Sequence, residues 1–236
     1  MLWFKKLIFP VFLVFCGQIV PTTPTDLHQA FTQNNLSNFL QWKAACDASY
    51  NTGKTPLTQE LLLSELNAFV QSKNNGALAD VNNWVKTGLL GKQKPSNEFY
   101  STTKFEPYVQ KLEVEPGTEV AFHGDVHGDI KSFNAFIEDL NNKGYMDPQD
   151  PFKIKKQNFK IIMLGDYTDR GQYGAEVLYA VLRMKQLNPN NFFMVRGNHE
   201  DLQINAFYGL TQELRSKFTN PNEVMNAIHR TYNYLP

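Results

Sequence analysis

Phe159-Lys160-Ile161-Ile162-Met163-Leu164 runs straight into Gly165-Asp166-Tyr167-Thr168-Asp169-Arg170-Gly171. An apolar run this short, closed by a polar glycine-bearing segment, reads as a buried strand that ends in a loop. The same layout occurs on either side. Glu119 to Phe122 precedes His123-Gly124-Asp125-Val126-His127-Gly128-Asp129, and Phe192 to Val195 precedes Arg196-Gly197-Asn198-His199-Glu200. Between the strands lie helical periods. Phe133, Phe136, Ile137 and Leu140 fall at i, i+3, i+4 and i+7 within Ile130 to Leu140, and Gly174 to Leu187 carries Leu178, Val181 and Leu182 on one face. Asn188-Pro189 ends that helix, Asn141 to Pro151 reads as a loop, and Leu202 to Phe218 reads as a helix broken near Gly209. Strands alternating with helices predict an α/β fold, with ligands gathered at the loops after the strands.

Upstream the pattern differs. Residues 22 to about 95 read as polar-rich helix. Thr58 to Gln71 carries Leu62, Leu66, Phe69 and Val70 at helical spacing behind Thr55-Pro56, and Trp42 and Trp84 read as core residues. Asn74-Asn75-Gly76 and Gly91 to Ser96 read as loops. The first twenty residues have a basic start at Lys5 and Lys6, an apolar run from Leu7 to Phe15, and the breaker Pro21-Thr22-Thr23-Pro24. That is the layout of an export signal and predicts a periplasmic or secreted protein. Cys16 belongs to the apolar run, so the mature chain keeps Cys46 alone and forms no internal disulfide.

Composition limits the functions open to it. The 236 residues carry 23 basic and 23 acidic side chains, and a zero net charge argues against nucleic acid as a partner. A hydrophobic share of 42% supports a real core. Two cysteines exclude an all-thiolate zinc site. The chain has no apolar run of membrane-spanning length, so no stable membrane insertion is expected after signal removal.

The three loops together offer Asp125, His127, Asp166, Asp169, Asn198 and His199, with Arg170 and Arg196 beside them. Carboxylate, imidazole and amide oxygen without thiolate suit Mn, Fe, Zn or Mg. Asp125 and His127 stand two apart, so an extended backbone would point both at one ion, and Asp166 could bridge to a second. Any one loop is explained as a turn with a stray ion pair. Three in this order, each after a buried strand, indicate a metal site. His28 reads as solvated, His123 as structural, and His229 as a cation near a helix C-terminus.

These residues resemble the calcineurin-like metallophosphoesterases, in their serine/threonine phosphoprotein phosphatase branch. The resemblance rests on Gly124 to Gly128, Gly165 to Gly171 and Arg196 to Glu200, with Tyr208-Gly209 and Tyr232 to Pro236 in support. Thr168 stands where that branch more often has valine. The resemblance covers about residues 105–236 and implies an αβ-sandwich metallophosphoesterase domain. Residues 1–20 are then a signal and 21–104 a helical N-terminal region.

By that resemblance, Asp125, His127 and Asp166 bind one divalent ion (Mn, Fe or Zn), and Asp166 and Asn198 a second. His199 is the general acid, oriented by Asp169. Arg170 holds the substrate phosphate, with Asn198 and Arg196 alongside. The substrate is a phosphorylated protein or a small phosphoester. Dinucleoside polyphosphate hydrolysis is the alternative reaction, and a non-catalytic remnant of the fold the alternative class. The family pattern continues with two more histidine ligands and another arginine, which this chain does not carry. A partial domain, a weak second metal site and low activity are therefore expected.

Overall fold

The computed structural model describes residues 36–75 and 112–236, apart from residues 51, 53 and 113. The export signal, His28, Trp84 and the Gly91 to Ser96 loop lie outside these residues. The described residues begin with two helices, α1 (Phe39–Ser49) and α2 (Gln59–Asn75). Asn38 caps α1, its side-chain oxygen accepting from the Leu40 N–H at 3.0 Å. Phe39, Trp42, Ala45 and Cys46 point inward from α1 at helical spacing. From α2 the buried row is Leu62, Leu66 and Phe69. The helix runs through Asn74-Asn75, beyond the stop expected there, because those residues continue a turn already nucleated.

Three strands follow, β1 (Glu119–His123), β2 (Phe159–Met163) and β3 (Phe192–Met194), parallel and in the order β1-β2-β3. Their register explains the site. His123 pairs with Met163 and Met163 with Met194, so all three strands end level and release their loops at one edge. Helix α3 (Ile130–Asn142) joins β1 to β2 and is capped by Asp129, which accepts from the Ser132 N–H at 3.0 Å. Helix α4 (Gly174–Leu187) joins β2 to β3 with the bounds its apolar period predicts. The expected 141–151 loop is shorter, since α3 reaches Asn142 and Met146 forms an antiparallel bridge with Ile154.

Three helices complete the described chain: α5 (Leu202–Tyr208), α6 (Leu210–Lys217) and α7 (Pro221–Tyr232). The break between α5 and α6 is Gly209, whose φ of 126° belongs to glycine. Helix α2 lies against α4 and α7, so the N-terminal helices and the α/β part share one core. Gln59 fastens this joint, accepting from the Asn220 N–H at 2.9 Å at the start of α7. The opposite face of the sheet carries Val120, Phe122 and Leu164, and Phe122 is 63% exposed.

Candidate active site

The three loops are stitched together by backbone hydrogen bonds. Val126 and His127 N–H groups donate to the Asp166 carbonyl at 3.0 and 2.8 Å, Gly128 N–H to the Tyr167 carbonyl at 2.9 Å, and Gly171 N–H to the His127 carbonyl at 2.9 Å. Glu200 ties the second loop to the third. Its buried carboxylate accepts from the N–H groups of Asp166 (2.7 Å), Tyr167 (2.9 Å) and Gly197 (2.8 Å). Burial pushes the Glu200 carboxyl up, and these three donors oppose that rise. The loops approach so closely that a Cβ on Gly197 would lie 2.2 Å from Asp166 Oδ1, so glycine is required there.

Four non-glycine residues have positive φ among the described residues: His127, Asp166, Asp169 and Arg170. All four belong to the candidate site, where strained backbone is tolerated because the surroundings over-determine it. This corrects the argument from extended backbone for Asp125 and His127. β1 ends at His123, and His127 sits in a left-handed turn with φ of 47°. The two side chains do meet, with His127 Nε2 3.7 Å from Asp125 Oδ2, but through that turn. His123 stays outside the site, its ring edge-on to Phe136 at 4.6 Å.

His127 Nδ1 lies 3.1 Å from the Thr168 carbonyl, which can only accept, so Nδ1 carries the proton and Nε2 presents a lone pair. That Nε2 is buried without a hydrogen-bond partner. It faces Asp125 Oδ2 at 3.7 Å and Asp166 Oδ2 at 4.0 Å. One imidazole lone pair turned toward two carboxylates suits a divalent cation, and the backbone carbonyl behind the ring is the support such ligands have. His127, Asp166 and His199 also offer ligand atoms within 4.8 Å of one another. Asn198 is exposed at the tip of the third loop.

His199 is held differently. Its Nδ1 is 2.9 Å from Asp169 Oδ2, with both side chains buried, and its Nε2 is 3.1 Å from Arg170 Nη2. A guanidinium only donates, so Nε2 accepts and Nδ1 carries the proton toward Asp169. Asp169 Oδ1 accepts from the Leu210 N–H at 2.9 Å. The exposed Arg170 leaves its guanidinium at the mouth of the site. Arg196 is engaged elsewhere: its Nε donates to the Glu200 carbonyl at 2.9 Å and its Nη2 approaches Asp201 at 3.9 Å. Thr168 is buried, with its hydroxyl 3.1 Å from the Tyr232 hydroxyl, a bond valine could not make.

Four residues carry more here than their sequence suggested. Glu200 closes the Arg196 to Glu200 segment, and its sequence position alone did not show that it clamps the second loop to the third. Tyr208 packs edge-on to His199 at 5.2 Å, beside Phe207, which is 85% exposed. Asn205 of α5 bonds the dyad, and His229 of α7 reaches Asn205. His229 was expected as a cation, yet burial pushes its imidazole below the ordinary range.

Comparison with known proteins agrees with this geometry. The calcineurin-like phosphoesterase family model matches residues 118–236. The rdgC serine/threonine-protein phosphatase of Drosophila melanogaster is 30% identical over 55% of this chain and 18% of its own length. The PP1-delta phosphatase of Caenorhabditis elegans is 31% identical over 56% of this chain and 38% of its own. Serine/threonine-protein phosphatase T of Saccharomyces cerevisiae is 28% identical over 86% of this chain and 38% of its own.

Among solved structures, a Saccharomyces cerevisiae protein serine/threonine phosphatase similar to human PP5 shares the fold. Its TM-score is 0.51 at 21% identity, over 77% of this chain and 44% of that one. The chain thus spans less than half the length of each of these relatives. Three metal-type loops released level from a parallel sheet, together with a family match over half its residues, place the chain in the calcineurin-like phosphoesterase family, among relatives that are serine/threonine-protein phosphatases.

Proposed function

We propose that the chain hydrolyses phosphate monoesters, with phosphoserine and phosphothreonine in proteins as substrates. The observation that carries this reading is the buried Asp169–His199 pair beside an unpartnered His127 Nε2 that faces two carboxylates. Asp125, His127 and Asp166 would hold one divalent ion, and Asp166 with Asn198 would contribute to a second. Such ions, Mn, Fe or Zn, supply charge neutralisation and a water of lowered pKa.

The chain's own residues do the rest. Arg170 Nη2, fixed against His199 Nε2 at 3.1 Å, draws a phosphate oxygen toward the imidazole. Asp169 keeps the ring in its Nδ1–H form and stabilises the imidazolium. With Arg170 Nη2 turned to the phosphate, His199 Nε2 can take up a proton from solvent and pass it to the departing alkoxide oxygen. Phe207 and Tyr208 flank the mouth with an apolar surface on which a peptide side chain can rest.

The test is hydrolysis by the Mn-loaded chain of a phosphoserine peptide against diadenosine tetraphosphate. Preference for the peptide is expected, and preference for the tetraphosphate would replace the substrate class. Manganese should bind with an affinity that Asp166→Asn lowers more than Asn198→Ala, because Asp166 serves both positions. Equal losses would remove the bridging role. The basic start and apolar run of residues 1–20 support export, so mass spectrometry of protein recovered outside the cytoplasm should find them missing.

A further inference from the structure

Behind the Asp169–His199 pair, on the side away from Arg170, one amide holds both partners. Asn205 of α5 is fully buried. Its Nδ2 donates to Asp169 Oδ2 at 2.8 Å and to the His199 carbonyl at 2.9 Å. Carboxylate and carbonyl can only accept, so the orientation of the amide follows: nitrogen toward the dyad, Oδ1 away from it. Oδ1 then faces His229 Nε2 of α7 at 3.3 Å. An amide oxygen cannot donate, so His229 must carry its proton on Nε2. Burial lowers its affinity for a second proton, which keeps the ring neutral and this tautomer distinct. His229 also lines a cleft of about 990 Å³ between α5 and α7, where Arg196 and Asp201 lie.

We infer that Asn205 is a positioning residue for the Asp169–His199 pair, and that His229 supports its amide from behind. Asn205 bonds the side chain of one partner and the backbone of the other, so it sets the distance between them. It is also one of three donors on a carboxylate that is buried with no cation among its described partners. Losing a donor there leaves an acceptor of that anion unpaired, and the anion can turn toward whatever donor remains. The imidazole then loses its fixed Nδ1 anchor, and proton delivery from Nε2 becomes poorly aimed.

The catalytic part of this inference rests on the phosphoesterase reading, and the tautomer part does not. The experiment is a long-range ¹H–¹⁵N correlation of the histidine rings in the full chain, unaltered and as Asn205→Ala. The unaltered protein should show His229 protonated on Nε2 and His199 on Nδ1. In Asn205→Ala, His229 should become a mixture of tautomers, and the His199 Nδ1 proton should exchange with water at least about tenfold faster. Unchanged spectra would overturn the inference.

Should Asn205→Ala fail to fold, His229 is approached instead. His229→Gln keeps a donor at the position of Nε2 and should leave the His199 signal intact, while His229→Phe should broaden it. Identical behaviour of these two variants would equally overturn the inference.

A second readout uses the Mn-loaded chain. Asn205→Ala should lower kcat on a phosphoserine peptide about tenfold or more, with KM little changed. On p-nitrophenyl phosphate, whose leaving group needs no proton, the loss should stay below about twofold. Equal losses on both substrates would mean a merely structural role. If the unaltered chain hydrolyses neither, the phosphoesterase reading fails, and the ring spectra still decide whether Asn205 positions the pair.

Discussion

The loop edge of the sheet and the helical collar of α1 and α2 are held by different forces. At the loop edge, polar groups bond polar groups: Glu200 gathers three N–H donors, and four backbones adopt left-handed turns. In the collar, Trp42 packs on Tyr179 with ring centroids 5.0 Å apart, Phe39 meets Phe152 edge-on at 5.2 Å, and Leu62, Leu66 and Phe69 are buried. Directional bonds fix where atoms sit, which a metal site needs. Apolar contact fixes how much surface leaves water, which stability needs. Damage to one region should therefore leave the other largely intact.

Glu200→Gln should break this separation most visibly on the loop side. The substitution is nearly isosteric, but it turns one acceptor into an NH₂ group facing backbone N–H donors. Leaving such donors unpaired costs about 1–3 kcal/mol each. Asp166 and Gly197 share the Glu200 clamp, so the two loops should part. Manganese affinity should fall about ten- to a hundredfold, the size seen for groups that support metal ligands. Calorimetry giving an affinity within about twofold of the unaltered chain would remove Glu200 from that role.

Leu66→Ala tests the collar. Leu66 is fully buried in α2, which lies against α4 and α7. Truncation should cost about 2–5 kcal/mol by urea unfolding, from lost transfer energy and the cavity left behind. Manganese affinity should stay unchanged in the folded protein. A large drop in affinity would mean that the collar positions the loops as well as stabilising the domain.

The sequence foretold the two regions unequally. The strands and α4 were legible because their apolar periods differ, and the α4 bounds agree residue for residue. That the three loops would come together was legible because glycine, aspartate and histidine cluster after each strand. The geometry was less so. Asp125 and His127 converge through a left-handed turn that spacing alone does not encode. Asn205 escaped notice and His229 was read only as a helix-end cation, because their importance comes from α5 and α7 folding back onto the second loop, a long-range event without local signature. The packing of α2 on α7 was illegible for the same reason. An apolar row shows that a helix face is buried, but not against what.

The smallest effect lies where the collar holds a polar group. Glu65 of α2 is nearly buried, accepts a hydrogen bond from the Gln186 side chain, and sits 3.9 Å from Arg183. Burial pushes its carboxyl up from 4.5 to about 6, against the opposing pull of Arg183 and Gln186. The folded protein therefore holds this proton more tightly than the unfolded chain does. The favourable contribution is complete below pH 4.5 and is lost as pH rises through about 6. At neutral pH the collar carries a carboxylate that costs about 2 kcal/mol relative to its neutral form. Glu65→Gln keeps an oxygen to accept from Gln186 and has nothing to ionise. It should raise stability at pH 7.5 by up to about 2 kcal/mol, with the gain shrinking toward zero near pH 4. Urea midpoints of both proteins at the two pH values read this directly. A gain of equal size at both, or a loss at pH 7.5, would show that Arg183 stabilises the ionised form more than burial opposes it. Manganese affinity should be the same in both proteins, since Glu65 lies in the collar and not among the loops.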